Sequence, residues 1–144
     1  RQPWPEDRTY WKFCHKGSCQ DISFHTTWDK APQFITAIGG AASKYGYPVA
    51  EVGFYLQPVE RARACRLECD FYYNPDDLRE VDRVRKLYAD VAEILLNMGA
   101  FFTTPYGIIA ELVYGGATEY AIALTKVKGL LDPNNIMSPG KLCF

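Results

Sequence analysis

Histidine is nearly absent from this chain: His15 and His25 are the only two among 144 residues. They form no H-E-x-x-H pair, so a helical two-imidazole metal site is excluded. No segment matches G-x-G-x-x-G or a Walker loop, so nothing offers the run of backbone donors that cradles a diphosphate. Surplus positive charge is missing too. Lys and Arg total 16 against 17 Asp and Glu, a net charge of −1, which argues against a dedicated nucleic-acid binder because phosphate neutralisation needs a basic excess. No apolar run reaches about 18 residues, so no membrane span is expected. The opening residues lack the basic, apolar and small-residue order of a secretory leader.

Cysteine is present, but not in metal-binding spacing. Cys14, Cys19, Cys65, Cys69 and Cys143 give C-x4-C and C-x3-C rather than the C-x2-C knuckle of a structural zinc site. The odd number and missing leader favour reduced thiols and a cytoplasmic location, with a Cys14–Cys19 disulfide or a metal as the alternatives. Aromatic residues are plentiful at 15%, enough to furnish a core, an interface or a pocket for a flat ligand. The length suits one domain with its own core.

Periodicity then predicts the elements. Residues 1–16, rich in Pro, Trp and Tyr, read as an extended arm or edge segment. Residues 20–26 alternate and read as a strand. A helix follows, capped by Thr27 or Asp29, with Pro32 in its first turn and Phe34, Ile35, Ile38, Ala41 and Ala42 on one side. It stops at residues 45–48. Strands are expected at 49–57 and 61–73, joined by a turn at 58–60. In the second of these Cys65, Leu67, Cys69, Phe71 and Tyr73 share one face, and Arg66, Glu68 and Asp70 the other. Residues 77–98 carry an amphipathic stripe that ends at Gly99. The order β-α-β-β-α predicts an α+β fold, an antiparallel sheet with helices on one face, resembling a ferredoxin-like sandwich. Residues 100–116 form an apolar, glycine-punctuated loop in this reading; a helix at 118–131 and a turn-rich end complete the chain.

No catalytic constellation is complete. A lone histidine such as His25 on a strand is more often a hydrogen-bonded structural residue than a functional one. The charged side of strand 61–73, joined by Glu51, Tyr55 and Gln57 from its neighbour, is either a solvated face or a polar pocket wall closed by another chain or domain. The segment around Phe101 and Tyr106 is either ordinary interior or the lining of a planar ligand's cavity. Its apolar groups Phe101, Phe102, Ile108, Ile109, Leu112 and Val113 are expected to seek cover, favouring association into an oligomer.

The last residues, L-D-P-N-N-I-M-S-P-G-K at 131–141, resemble the D-P-N-x-I-x-x-P-G-K motif that closes members of the vanillyl-alcohol oxidase and p-cresol methylhydroxylase superfamily. The lysine-bearing helix before them, T-K-V-K-G-L-L at 125–131, matches that motif's usual lead-in. The strand–turn–helix at E-C-D-F-Y-Y-N-P-D-D is a weaker likeness. The resemblance implies an FAD-linked oxidase or dehydrogenase in which a separate domain or subunit binds FAD. On that reading residues 18–99 are the cap over the flavin ring, and residues 100–144 are a tail returning to the FAD-binding domain. The implied function is oxidation of a small alcohol or aromatic substrate by hydride transfer to flavin; a non-catalytic cap stabilising a flavoprotein complex is the alternative.

Where the hydroxy-acid branch carries Glu and His metal ligands, Pro105 and Tyr106 stand, so no metal is expected. Phe101 and Phe102 occupy the Tyr-Arg position of the phenol-oxidising branch, leaving Tyr106 and Arg66 as substitutes. No histidine stands at residues 66–68, where some members bond covalently to flavin, so non-covalent FAD is implied. The residues this singles out are Tyr106, Arg66 and Glu68 for catalysis, and Asn135 and Lys141 for the cofactor.

Overall fold

The computed structural model describes residue 12, residues 15–137 and residue 139. In chain order these are β1 (Ser18–Thr26), α1 (Ala31–Lys44), β2 (Gly53–Val59), β3 (Ala64–Tyr73), α2 (Leu78–Asn97), α3 (Ile108–Gly116) and α4 (Thr118–Leu131). The strands make one antiparallel sheet in the order β1-β3-β2, the expected α+β fold.

Period-two alternation decides which face the helices cover. Ile22, Phe24, Cys65, Leu67, Cys69 and Phe71 are each 1% exposed or less. They pack against Phe34, Ile38 and Ala42 of α1 and Val84, Leu87, Val91 and Leu95 of α2. Both helices therefore lie on one side of the sheet. The stripe on α2 works because three- and four-residue spacing keeps those side chains on one flank. Asp77 caps it, accepting the Arg79 amide at 2.9 Å, and Gly99 leaves it with φ 86°.

Tyr47 closes one end of the sheet. Its hydroxyl donates to the Tyr72 carbonyl at 3.0 Å and accepts the Tyr72 amide at 2.8 Å. Ladder pairing with β2 stops at Gly53 opposite Asp70, and the phenol takes up two β3 backbone groups beyond that point.

Four expectations need correction. The cap of α1 is neither Thr27 nor Asp29 through a side chain; Lys30 holds that place without one, and the Thr27 carbonyl accepts the Lys30 and Ala31 amides, both at 3.2 Å. The strand expected at 49–57 begins only at Gly53. Residues 49–51 form a 3-10 turn instead, with the Glu51 amide donating to the Pro48 carbonyl at 2.9 Å. Pro58 lies inside β2 rather than in a turn, which the sheet tolerates because β2 is an edge strand. The reversal comes at Glu60, Arg61 and Ala62, with φ of 50°, 56° and 63°.

The fourth concerns residues 100–116. Phe101 adds one bridge to the free edge of β1: the His25 amide donates to the Phe101 carbonyl at 2.8 Å, and the Phe101 amide returns a bond to His25 at 3.0 Å. Then, instead of a continuous loop, Ile108–Gly116 is a helix. Ile109, Ala110, Leu112 and Val113 share the spacing of one flank, and this outweighs the two glycines at its end. Phe102 and Ile109 are buried, and Leu112 and Val113 pack on the core. Of the six apolar groups expected to seek cover, only Phe101 and Ile108 stand exposed. The uncovered apolar surface lies farther on, at Val127, Leu130, Leu131, Ile136 and Met137; α4 has no buried residue. Among the described residues no helix is long and apolar enough to cross a membrane.

Candidate functional site on the charged face of the sheet

The sheet face away from α1 and α2 is built in rows. Register places Asp21, Asp70 and Gly53 side by side, then Ser23, Glu68 and Tyr55, then His25, Arg66 and Gln57. Directly paired residues project to the same side, so three carboxylates gather on adjoining strands. Acceptor oxygens of Asp21, Glu68 and Asp70 lie within 4.8 Å of one another.

Lys12 takes the place a metal would occupy among them. Its ammonium stands 3.0 Å from Asp21, 2.5 Å from Glu68 and 3.1 Å from Asp70. Burial works against the charge on Lys12, but hydrogen bonds to Glu68, Asp21 and Asp70 outweigh it and hold the ammonium well above its ordinary range. Burial raises the Asp70 carboxyl, and Lys12 draws it partly back. Cys19 donates its thiol to Asp70 at 3.7 Å; burial first, and then the charge on Asp70, push that thiol up to about 12. Gly53 is required by the close approach here, because a Cβ would stand 2.9 Å from the Tyr72 hydroxyl and 3.0 Å from the Asp70 Cβ.

Neither reading of this face holds as first stated. It is not a solvated surface, since Glu68 and Asp70 are 7% and 2% exposed. Nor does another chain close its centre: Lys12, from the protein's own amino-terminal segment, does. Arg66 is half-exposed; its Nη2 reaches Glu68 at 3.0 Å and Ser23 Oγ at 3.3 Å. Glu51 does not join this cluster and pairs with Lys16 at 2.7 Å. Tyr55 and Gln57 stay exposed on the same face.

Tyr106, from the segment before α3, stands in the field of this cluster. Burial raises its phenol, with Asp21 and Glu68 adding to the rise and Lys12 opposing it. The site residues expected from the sequence thus divide. Arg66 and Glu68 are bonded to each other, and Tyr106 shares their electrostatic environment. Asn135 sits in the turn after α4, at φ 50°, its amide donating to the Asp132 carbonyl at 3.0 Å. Lys141 lies outside the described residues, as do Cys14 and Cys143. Cys19, Cys65 and Cys69 are free thiols.

The D-P-N-N turn has its own construction. The carboxylate of Asp132 accepts the Ile136 amide at 2.8 Å, the Met137 amide at 2.9 Å and the Lys128 ammonium at 2.7 Å. Lys128, first among the causes, draws this carboxyl below its usual range. Asparagine suits position 135 because its short polar side chain tolerates left-handed backbone.

Two concavities flank the charged face. One, of about 370 Å³, is lined by His15, Lys16, Glu51, Gly53 and Tyr72 among others. The other, of about 270 Å³, lies at the opposite end, against His25, Thr27, Lys30, Ala64, Gly99 and Phe101. The Nδ1 of His25 is buried and meets no hydrogen-bond partner among the described residues; a group left so costs about 1–3 kcal/mol. The expectation of a bonded structural histidine therefore fails at this atom.

Sequence reasoning missed Lys12 and Asp21. Asp21 was legible as the alternate position of β1, opposite the core residues Ile22 and Phe24. Lys12 gave no signal, because two of its three partners, Glu68 and Asp70, come from a strand far along the chain.

Neither the curated proteins nor the solved structures include a match to this chain. The family model described as FAD linked oxidases, C-terminal domain, matches residues 15–142 and so spans the sheet, the helices and the D-P-N-N turn. With nearly its whole length covered, the chain belongs to the family of FAD-linked oxidase C-terminal domains.

Proposed function

We propose that this chain is the substrate-side part of an FAD-dependent oxidoreductase of the vanillyl-alcohol oxidase and p-cresol methylhydroxylase superfamily, oxidising a small alcohol or aromatic substrate by hydride transfer to flavin. Residues 18–99 act as the cap and residues 100–144 as the tail that returns to an FAD-binding domain, within one cytoplasmic protein or complex. The observation that carries this reading is the charged face: among the described residues neither α1 nor α2 covers it, yet it buries Glu68 and Asp70 and leaves Arg66 and Tyr55 reachable.

The residues present fit the ring end of FAD and its substrate. They do not fit the diphosphate, for which the sequence offers no glycine-rich loop. When bound, the flavin supplies the two-electron chemistry, and the protein supplies position and hydrogen bonds. Arg66 has donors beyond those spent on Glu68 and Ser23, and these hold a substrate oxygen. Glu68, held between Lys12 and Arg66, fixes the position of the guanidinium. Tyr106, a phenol protonated at neutral pH like any tyrosine and held further up by burial, donates a hydrogen bond. Asn135 and Lys141 contact the cofactor side. Flavin attachment is non-covalent, since Arg66, Leu67 and Glu68 include no histidine.

Kinetics test this in the enzyme assembled with its FAD-binding domain. Arg66→Ala and Tyr106→Phe should each lower kcat/KM roughly tenfold or more, about 1.4 kcal/mol of transition-state stabilisation. Near-normal turnover in both folded variants contradicts the assignment. The isolated chain should show no submicromolar affinity in an FAD titration followed by flavin fluorescence.

A further inference from the structure

We propose that the outer edge of β2 is an interface, and that the strand it fits is β2 of a second copy of this chain. The inference does not depend on the flavin chemistry above.

The backbone of β3 fixes what that edge offers. Pairing with β1 continues past Tyr72, to Ser18 opposite Tyr73, yet the amide and carbonyl of Tyr72 both bond the Tyr47 hydroxyl. They therefore turn away from β1, toward the β2 side. Successive strand residues turn their backbone groups to alternate sides, so Asp70, Glu68, Arg66 and Ala64 face β2 as well. Their partners Gly53, Tyr55, Gln57 and Val59 close the ladder, and Phe54, Leu56 and Pro58 point outward. The far edge of the sheet obeys the same parity: His25, opposite Arg66, gives both its backbone groups to Phe101. Among the described residues Phe54 and Leu56 have no such backbone partner.

Side chains along this edge are equally uncovered. Phe54 and Leu56 share the helical side with their partners Cys69 and Leu67, which are fully buried. They themselves stand 40% and 37% exposed, outside the core that α1 and α2 cover. Tyr55, on the charged face, is also exposed. Free edges are ordinarily blunted by charged side chains or proline. From Gly53 to Val59 there is no charged residue, and Pro58 stands next to the end.

A second β2 matches this edge donor for acceptor. In an antiparallel pair with Tyr55 opposite Tyr55, Phe54 faces Leu56 of the second copy, and Leu56 faces its Phe54. The amides of both residues then donate to the carbonyls opposite, so every N–H that the edge offers is used. The next pair sets Pro58 opposite Val52. Pro58 has no N–H, and the Val52 amide already donates to the Val49 carbonyl at 3.2 Å, so no donor is stranded. Directly paired residues project to the same side. Phe54 and Leu56 of the two copies therefore cover one another on the helical side, and the two Tyr55 rings meet on the other. No charges oppose each other across the pair. The product is one continuous sheet in the order β1-β3-β2-β2-β3-β1, with both charged faces on the same side and open.

Sedimentation equilibrium of the full chain tests the association. One strand edge makes a small interface, so the chain should be mostly monomer near about 1 μM and mostly dimer near about 500 μM. Leu56→Lys, with its fold checked by circular dichroism, should weaken the dimer at least about tenfold, because it sets a charge in an apolar contact. Leu131→Lys, on the exposed surface of α4, should leave the equilibrium unchanged. Cross-linking reads the register independently. A directly opposed pair without mutual hydrogen bonds has Cα atoms about 4.5 Å apart, within disulfide reach, so Tyr55→Cys should link two copies under mild oxidation. Gln57→Cys faces Gly53 rather than its own counterpart and should stay unlinked. A monomer at the higher concentration, a dimer unaffected by Leu56→Lys or dissolved by Leu131→Lys, or equal cross-linking of the two cysteine variants would overturn the proposal.

Discussion

At the residue scale, Lys12 and Cys19 show how strongly the charged face controls its own chemistry. Three carboxylates on neighbouring strands repel unless a cation joins them, and Lys12 is that cation. Lys12→Met should therefore destabilise the fold by roughly 3–5 kcal/mol at neutral pH, the cost of leaving buried charges uncompensated. A folded lysine pKa raised above its unfolded value contributes stability that is complete below the unfolded value. That stability is lost only as pH rises through the folded one, so it is fully present at neutral pH. In acid the Asp70 carboxyl, raised by burial, takes up a proton and the variant's deficit should shrink; urea unfolding at pH 7 and pH 4 measures both. Cys19 carries a second expectation. With its thiol pushed up to about 12, almost no thiolate exists at neutral pH, and the thiolate is the reactive form. Mass-spectrometric mapping after brief iodoacetamide treatment should find Cys19 alkylated far more slowly than an unstructured cysteine; rapid labelling would contradict the burial.

At the element scale, two local devices bear on stability. The Tyr47 hydroxyl serves two backbone groups of Tyr72, so Tyr47→Phe leaves a buried amide and carbonyl unpaired. A loss of about 1–3 kcal/mol should follow in chemical denaturation, although the ring and its edge contact with Phe71 remain. Asp132 organises the turn after α4. Its folded pKa is depressed, so its contribution is present above the unfolded carboxylate value and lost as pH falls through the folded one. The protection of the Ile136 and Met137 amides, taken against their intrinsic exchange rates, should fall below about pH 4, where an ordinary aspartate protonates, and Asp132→Asn should show the lower protection already at neutral pH.

These elements also show what a sequence makes legible. The strand at Ala64–Tyr73 and the helix at Leu78–Asn97 follow from local periodicity, because each alternation or stripe is dictated by a single buried face. The start of β2 was not legible: Val49 and Val52 read as strand residues, but Pro48 directs a 3-10 turn that delays pairing to Gly53. Helix α3 was hidden by the glycines around it. In the site, the Arg66 and Glu68 pair was readable from i, i+2 spacing on one strand. Lys12 was not, since its role depends on tertiary register across all three carboxylates. Asn135 was read as a cofactor ligand from a motif whose described geometry is a backbone turn.

At the scale of the whole molecule, two surfaces are unfinished. One is the charged face with Tyr55 and Tyr106, and the other is the apolar run from Val127 through Met137, where Leu130 and Leu131 are 83% and 75% exposed. Exposed apolar side chains gathered on one helix and the turn after it are surface that a partner would cover. The proposed function assigns both to one partner, an FAD-binding domain reached by the tail and covered by the sheet. Hydroxyl-radical footprinting of side chains, with and without that FAD-loaded domain, tests the assignment most directly. The account predicts protection of Tyr55, Tyr106, Leu131 and Met137, with Leu78 and Ile35, exposed on the helical side, labelled equally in both states. Protection confined to Leu78 and Ile35, with Tyr55 and Tyr106 unchanged, would contradict it.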